Sequence, residues 1–250
     1  MAATKKSLLV IWISILLLVA CSTTRSVSSF QPQLIKITGS ATADSAITAL
    51  IMPYQMQIAD KMSRVIGETA HEMTKQKVES VLGNFVADLF LQECAESFNL
   101  SADASLLTIG GLRAPLPKGK ITVGDIFELC PFDNEMVVLT LTGKQLRQTL
   151  DILATEQKAA VGNIRFIIYN QQATQITVNQ FPLDEQKNYN VLTYDYLANG
   201  GDKLAPLTAA AKRQEIGIKV RDLVIKHFEK LHQQGKKASA QLDGRVRLGP

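Results

Sequence analysis

An α+β fold, with mixed β-sheets layered with helices, is predicted by three features of this sequence. Segments with helical spacing and segments of strand character alternate without a strict βαβ rhythm. One run, Met136–Leu141, is apolar almost throughout, as expected of a strand buried on both faces. No internal repeat divides the chain into modules, and 46% hydrophobic residues are enough for one sizeable core.

The first twenty residues are expected to lie outside that fold. Lys5 and Lys6 precede an apolar run from Leu8 to Val19, the order found in a secretory signal. The run is shorter than the about 20 apolar residues that span a bilayer. It ends in Leu18-Val19-Ala20-Cys21, which resembles the bacterial lipobox, where the cysteine is acylated and becomes the first residue. Residues 1–20 then read as a signal peptide, 21–43 as a lipidated tether and 44–250 as the folded domain. The chain would be exported and lipid-anchored on the periplasmic face of a bacterial membrane, each buried CH₂ contributing about 0.8 kcal/mol. The plainer alternative is an ordinary signal peptide cleaved nearby, with Cys21 incidental.

Ser22 to Phe30 is rich in Ser and Thr and reads as tether, and a strand-like Leu34–Thr38 follows. From Asp44, apolar residues Ile47, Leu50, Ile51, Tyr54, Ile58, Met62 and Val65 recur at helical spacing. Pro53 predicts a kink or two consecutive helices, and Gly67 ends the run. Leu82–Phe98 is a second amphipathic helix, and Ser105–Ile109 is a buried strand running into a glycine turn. Val123–Leu129 is a short helix. After the strand at Met136–Leu141, Thr142-Gly143-Lys144 turns into a helix carrying Leu146, Leu150 and Leu153. Ile164–Tyr169, Gln175–Val178 and Tyr189–Thr193 read as strands, Gln214–His232 as a final long helix and Arg245–Leu248 as a closing strand.

Composition excludes several functions. Twenty-seven basic against 23 acidic residues, with no basic block or Arg-rich stripe, give DNA or RNA binding no electrostatic support. Cys94 and Cys130 sit among apolar neighbours and read as free, buried thiols, although a disulfide is chemically possible in the periplasm. Hydrolysis of a phosphate ester through bound metal ions needs clustered His, Asp and Asn ligands. Only His71, His227 and His232 are present, and the last two would point about 140° apart on a helix. There is no Gly-x-Ser-x-Gly elbow, no Walker-type phosphate loop and no Cys-x-x-Cys. No metal site and no catalytic residue is expected within this chain.

Four short segments have the character of a binding site. Thr108-Ile109-Gly110-Gly111-Leu112-Arg113 runs a strand into two glycines, which permit close backbone approach, and an arginine suited to phosphate or carboxylate. Cys130-Pro131-Phe132-Asp133-Asn134 fixes a turn, with an aromatic ring and an amide able to meet a base edge. Thr193-Tyr194-Asp195-Tyr196-Leu197-Ala198-Asn199-Gly200-Gly201-Asp202 ends a strand in aromatics, a sharp loop and a carboxylate. Glu79-Ser80-Val81-Leu82-Gly83-Asn84 enters a helix.

In this order, and with Leu141-Thr142-Gly143, these segments resemble the C-terminal domain of the 5′-nucleotidase family, which includes UDP-sugar hydrolases and ecto-nucleotidases. The likeness runs from about Asp44 to about Leu248. It implies a domain that binds the nucleoside part of a nucleotide. Phe132 and Tyr196 would sandwich the base, Asn134 would contact it, and Asp202 would hold the ribose hydroxyls. Arg113 would reach towards phosphate, and Gly162 falls near a backbone contact. Two positions depart from the family: Thr108 stands where Asn is usual, and Gln76, between Lys75 and Lys77, stands where an arginine is usual. In whole enzymes of the family an N-terminal metallophosphatase domain supplies the metals.

The resemblance therefore implies the nucleotide-recognition subunit of a split periplasmic 5′-nucleotidase. No cofactor is expected in this chain, divalent metals are expected on a separately encoded metallophosphatase partner, and the lipid provides the membrane contact. The alternatives are a non-catalytic nucleoside- or nucleotide-binding lipoprotein, or a protein-interaction scaffold.

Overall fold

The structure, a computed structural model, describes residues 43–250 together with Ser29, Pro32 and Gln33. The expected signal peptide, Cys21 and the strand at 34–38 lie outside the described residues. The compact unit is Ala49–Pro250. Among the described residues no helix is long and apolar enough to cross a membrane.

The first helix, α1, spans Ser45–Ser63 as one element with Pro53 inside it, where a kink or two helices were expected. Asp44 begins it by accepting from the amides of Ala46 and Ile47 at 2.8 and 3.2 Å. None of its residues is fully buried: Leu50, Tyr54 and Ile58 are exposed, and Met62, partly buried, packs against the core. The chain then extends, so that Val65–Thr69 is strand β1 and not the end of a helix. Gly67 belongs to this strand because a Cβ there would meet the Phe228 ring at 2.9 Å.

The three helices that follow begin where hydroxyls cap them. Ser80 starts α2 (Val81–Phe98) by accepting from Gly83 N at 2.9 Å. Thr122 and Thr142 form capping boxes with Asp125 and Gln145 at the starts of α3 (Val123–Leu129) and α4 (Gly143–Glu156). Gly143 is required there, since a Cβ would sit 2.0 Å from the Asp184 carbonyl oxygen.

The five-stranded sheet uses β2 (Ala104–Thr108), β4 (Glu135–Thr142), β5 (Ala159–Gly162), β9 (Asn188–Tyr194) and β10 (Lys212–Lys219), in the order β10-β4-β9-β2-β5. Only the β2–β9 pair is parallel, so the sheet is mixed. β2 is buried throughout, and so is β4 from Met136 to Leu139. A four-stranded sheet combines β6 (Ile164–Tyr169), β7 (Gln172–Val178), β8 (Phe181–Pro182) and β11 (Val246–Leu248), and β1 pairs with β3 (Gly119–Thr122). The single-turn helix α5 (Asp195–Ala198) follows β9 directly. α2 packs on β2 and β5, α4 on β7, and the last helix α6 (Val220–Gln233) on β1 and α2. The layered α+β architecture is the one expected.

The long final helix expected at Gln214–His232 is corrected at its start. Residues 212–219 form an edge strand, Arg213 to Glu215 pairing with Leu139 to Val137 of β4. Gly217, at φ +78°, and the alternating Ile216 and Ile218 suit extended chain, and helical backbone begins only at Val220.

Candidate functional site

Sheet topology decides which loops meet. β2 and β9 run parallel, so both deliver their C-terminal ends, Thr108 and Tyr194, to the same sheet edge. β4 is antiparallel to β9 with Met136 opposite Tyr194, so the Pro131–Asn134 loop enters at that edge too. There the Glu135 amide donates to Asp195 at 3.2 Å and ties the two loops together. Arg113, Phe132, Asn134, Tyr196 and Asp202 all stand on these three loops.

Gly162 is not brought into the group. It pairs with Ser105 while Thr108 pairs with Ala159, at the other end of the ladder. A Cβ on Gly162 would meet Ser105 Oγ at 2.5 Å and Leu91 at 2.8 Å, so its bareness lets α2 lie on the sheet.

Asp202 is the best-held member. The buried Thr108 hydroxyl donates to its Oδ2 at 2.5 Å. The Tyr196 hydroxyl donates to Oδ1 at 3.2 Å and accepts from the Asp202 amide at 3.3 Å. Asp202 lies in the left-handed region at φ 52°, inside the 3₁₀ turn Gly201–Lys203. Gly201 makes the seat for the ring, since a Cβ there would stand 2.4 Å from Tyr196.

Phe132 is presented by its neighbour. Asp133 accepts from Lys219 at 2.8 Å and from Arg221 at 2.6 Å, and these contacts hold its carboxyl below the usual carboxylate range. Arg221 is itself stacked 4.1 Å over Phe127. With Asp133 tied to Lys219 and Arg221, the loop is held and Phe132 faces solvent, 48% exposed; Tyr196 is 49% exposed. An aromatic ring half in water on a rigid loop is available to stack on a ligand. The Arg113 guanidinium stands 6.0 Å from the Phe132 centroid. Lys75 donates to the Leu112 carbonyl at 2.8 Å, which sets a second cation beside the arginine loop.

Other polar segments serve the fold. Glu79 accepts from the amides of Asp243 and Gly244 at 3.0 and 3.1 Å, and Asn84 donates to Glu79 and to the Gln241 carbonyl. The Glu79–Asn84 segment is thus a clasp on the C-terminal chain. Hollows of about 590 and 480 Å³ open round Arg165 and Asp243, but Arg165 and Arg245 are paired there with Asp243, and Arg245 with Asp88 too. Cys94 and Cys130 are buried and free. His71 bonds the Ala240 carbonyl oxygen and His227 bonds Glu93, each at 2.8 Å. Among the described residues no group of three or more His, Cys, Asp or Glu is placed to hold a metal ion.

Comparison with known proteins gives the family of the fold. The family described as 5′-nucleotidase, C-terminal domain, matches residues 65–210. The chain belongs to the 5′-nucleotidase C-terminal domain family. As such a domain it is 26% identical over 197 residues to the trifunctional nucleotide phosphoesterase protein YfkN of Bacillus subtilis (strain 168), covering 72% of this chain and 13% of YfkN. It is 22% identical over 196 residues to protein UshA of Yersinia enterocolitica, covering 75% of this chain and 35% of UshA. Among solved structures it resembles a 5′-nucleotidase precursor from Thermus thermophilus, with TM-score 0.72, 26% identity, and 81% of this chain and 43% of that one covered. The chain thus spans less than half the length of each of these relatives.

Four residues of this 5′-nucleotidase C-terminal domain escaped sequence reasoning. Thr108 registered only as a departure from Asn, and the Thr108–Asp202 bond spans 94 positions. Lys75 registered only as a neighbour of Gln76. Tyr194 and Gly201 stand within the Thr193–Asp202 segment, where no local signal separates either from its neighbours.

Proposed function

We propose that this domain is the nucleoside- and nucleotide-recognition subunit of a split periplasmic 5′-nucleotidase. The observation that carries the reading is the carboxylate of Asp202, fixed between Thr108 and Tyr196 at a sheet edge that also bears half-exposed Phe132. A base stacks against the rings of Phe132 and Tyr196, each contact contributing about 1–3 kcal/mol. Asn134 meets the base edge, and Asp202 accepts from ribose hydroxyls while its own hydrogen bonds hold it in place. Arg113 reaches the phosphate by a planar fork, with the Lys75 ammonium beside it supplying charge where the family's usual arginine is replaced by Gln76.

Among the described residues the side chains do not fit the divalent metals that the family's hydrolysis uses: the histidines are few and form no cluster with other ligands, and His71 and His227 are engaged elsewhere. Those metals, and the bond cleavage, belong to a separately encoded metallophosphatase partner. Export and acylation at Cys21 would hold the pair at the membrane. Holding a nucleotide in one orientation for that partner removes part of the entropic barrier to its reaction.

Titration calorimetry of the purified chain with adenosine and AMP tests this. Both should bind, AMP more tightly. Phe132→Ala and Tyr196→Ala should each weaken binding roughly tenfold, and Arg113→Ala should erase the preference for AMP. The chain with divalent metal should not hydrolyse AMP until the metallophosphatase is added. Absence of binding by either ligand would reject recognition; hydrolysis by the chain alone would reject the split.

A further inference from the structure

Among the described residues three buried polar side-chain atoms have no hydrogen-bond partner: Thr193 Oγ1, Arg221 Nε and the Tyr194 hydroxyl. Tyr194 differs from the other two in what it faces. It is 3% exposed, yet it lines a cavity of about 20 Å³ shared with Gly111, Cys130, Phe132 and Asn134. That volume admits one water-sized group. Thr108, at the same sheet edge, lies close enough to Tyr194 to lower its ionisation, but commits its hydrogen to Asp202. Gly111 lies against the buried hydroxyl, since a Cβ there would stand 2.6 Å from it. Burial raises the phenol's ionisation well above its ordinary range, so it is a neutral hydroxyl able to donate and to accept.

A buried hydroxyl without a partner is destabilising, so its retention at the floor of a binding loop calls for something that satisfies it. We infer that Tyr194 is a further ligand-binding residue, whose hydroxyl exchanges a hydrogen bond with a polar atom at the edge of a nucleobase seated between Phe132 and Asn134. The inference rests on the nucleoside reading above and adds a determinant of base choice from below the plane of the loops. Tyr194 thus works with Asn134: one residue reads the base edge from the rim and the other from the floor.

The test is calorimetry of the full chain and of Tyr194→Phe with adenosine, guanosine, cytidine and uridine, together with thermal melting of the unliganded proteins. Tyr194→Phe should bind the preferred nucleoside about three- to tenfold more weakly, the worth of one neutral hydrogen bond. Its ligand-free melting temperature should stay level or rise, because the substitution removes an unsatisfied group. Gly111→Ala, which crowds the hydroxyl, should weaken binding in the same direction. Wild type that binds none of the four nucleosides sinks the nucleoside reading and this inference with it. Wild type that binds one of them while Tyr194→Phe binds it equally well overturns this inference alone. A Tyr194→Phe protein that melts markedly earlier also overturns it, by showing that the hydroxyl serves the fold.

Discussion

Glu93 and Asp202 are both carboxylates held by hydroxyls and other side chains, yet their surroundings differ in every other respect. The Glu93 side chain has no exposure and accepts from His227 at 2.8 Å, Lys230 at 2.9 Å and Ser97 at 3.0 Å, joining α2 to α6. Phe85 meets the His227 ring edge-on at 5.8 Å, and no large apolar surface is left open there. Asp202 sits in a left-handed turn against the half-exposed Tyr196 ring, at the sheet edge that also carries half-exposed Phe132 and the unpartnered Tyr194 phenol. Where every polar valence is met from inside, a cluster contributes stability. Where rings face water and a hydroxyl lacks a partner, contacts remain unmet, and on the function proposed above a nucleoside fills them.

The largest effect expected from this contrast is on folding. Glu93→Ala strands a buried imidazole and an ammonium without their acceptor and should cost about 3–5 kcal/mol, read by denaturant unfolding. The protein that remains folded should bind adenosine as before. Normal stability with lost binding would reverse the roles assigned to the two clusters.

Acid provides a sharper version. Burial by itself would raise the pKa of Glu93, but hydrogen bonds from His227, Lys230 and Ser97 outweigh it and hold the group below its ordinary value. A carboxylate with a depressed folded pKa stabilises the protein above its unfolded pKa, about 4.3. That contribution is lost progressively as pH falls from there through the folded value. Glu93→Gln should therefore flatten the acid limb of a stability–pH profile and lower the plateau at neutral pH. An unchanged acid limb would mean that other carboxylates, such as Asp243, which Arg245 and Arg165 hold below its ordinary range against burial, govern the acid response.

At the sheet edge the corresponding probe is Gly201→Ala. Its Cβ would meet the Tyr196 ring at 2.4 Å, while its backbone is not in the left-handed region, so the ring must move and the fold need not. Adenosine affinity should fall about fivefold, a fraction of one stacking contact, with little change in melting temperature. A loss of stability without a loss of affinity would show that the ring braces the loop instead of meeting a ligand.

The legibility of these regions in sequence follows the range of the forces involved. Helix starts and the central strands were readable because capping hydroxyls and continuous apolar runs are local: Thr142 with Gln145, or Met136 to Leu139, declare themselves within a few residues. The edge strand at 212–219 was not, because its pairing with β4 lies some 70 positions away and its exposed face carries no alternation strong enough to override the helical pattern that follows. Convergence of Arg113, Phe132, Asn134, Tyr196 and Asp202 was expected from motif order, whereas its physical cause, the parallel β2–β9 pair within an otherwise antiparallel sheet, is a property of topology alone. Gly162 shows the limit: the family resemblance sets it near a backbone contact, and the ladder register sets it against α2.

The smallest effect concerns the two thiols, one in each region. Cys94 lies beside Glu93 on α2, and Cys130 lines the cavity under Phe132. Burial pushes both up to about 12, so at neutral pH each holds on the order of a thousandfold less thiolate than an ordinary cysteine. Both should label slowly with a disulfide reagent in the native protein and rapidly once it is unfolded. Saturating nucleoside should slow Cys130 further, because the ligand would close the cavity that Cys130 lines, while Cys94 keeps its rate. Equal protection of both would mean that the nucleoside acts by stabilising the whole domain, and the contrast between the two clusters would then be one of burial and not of purpose.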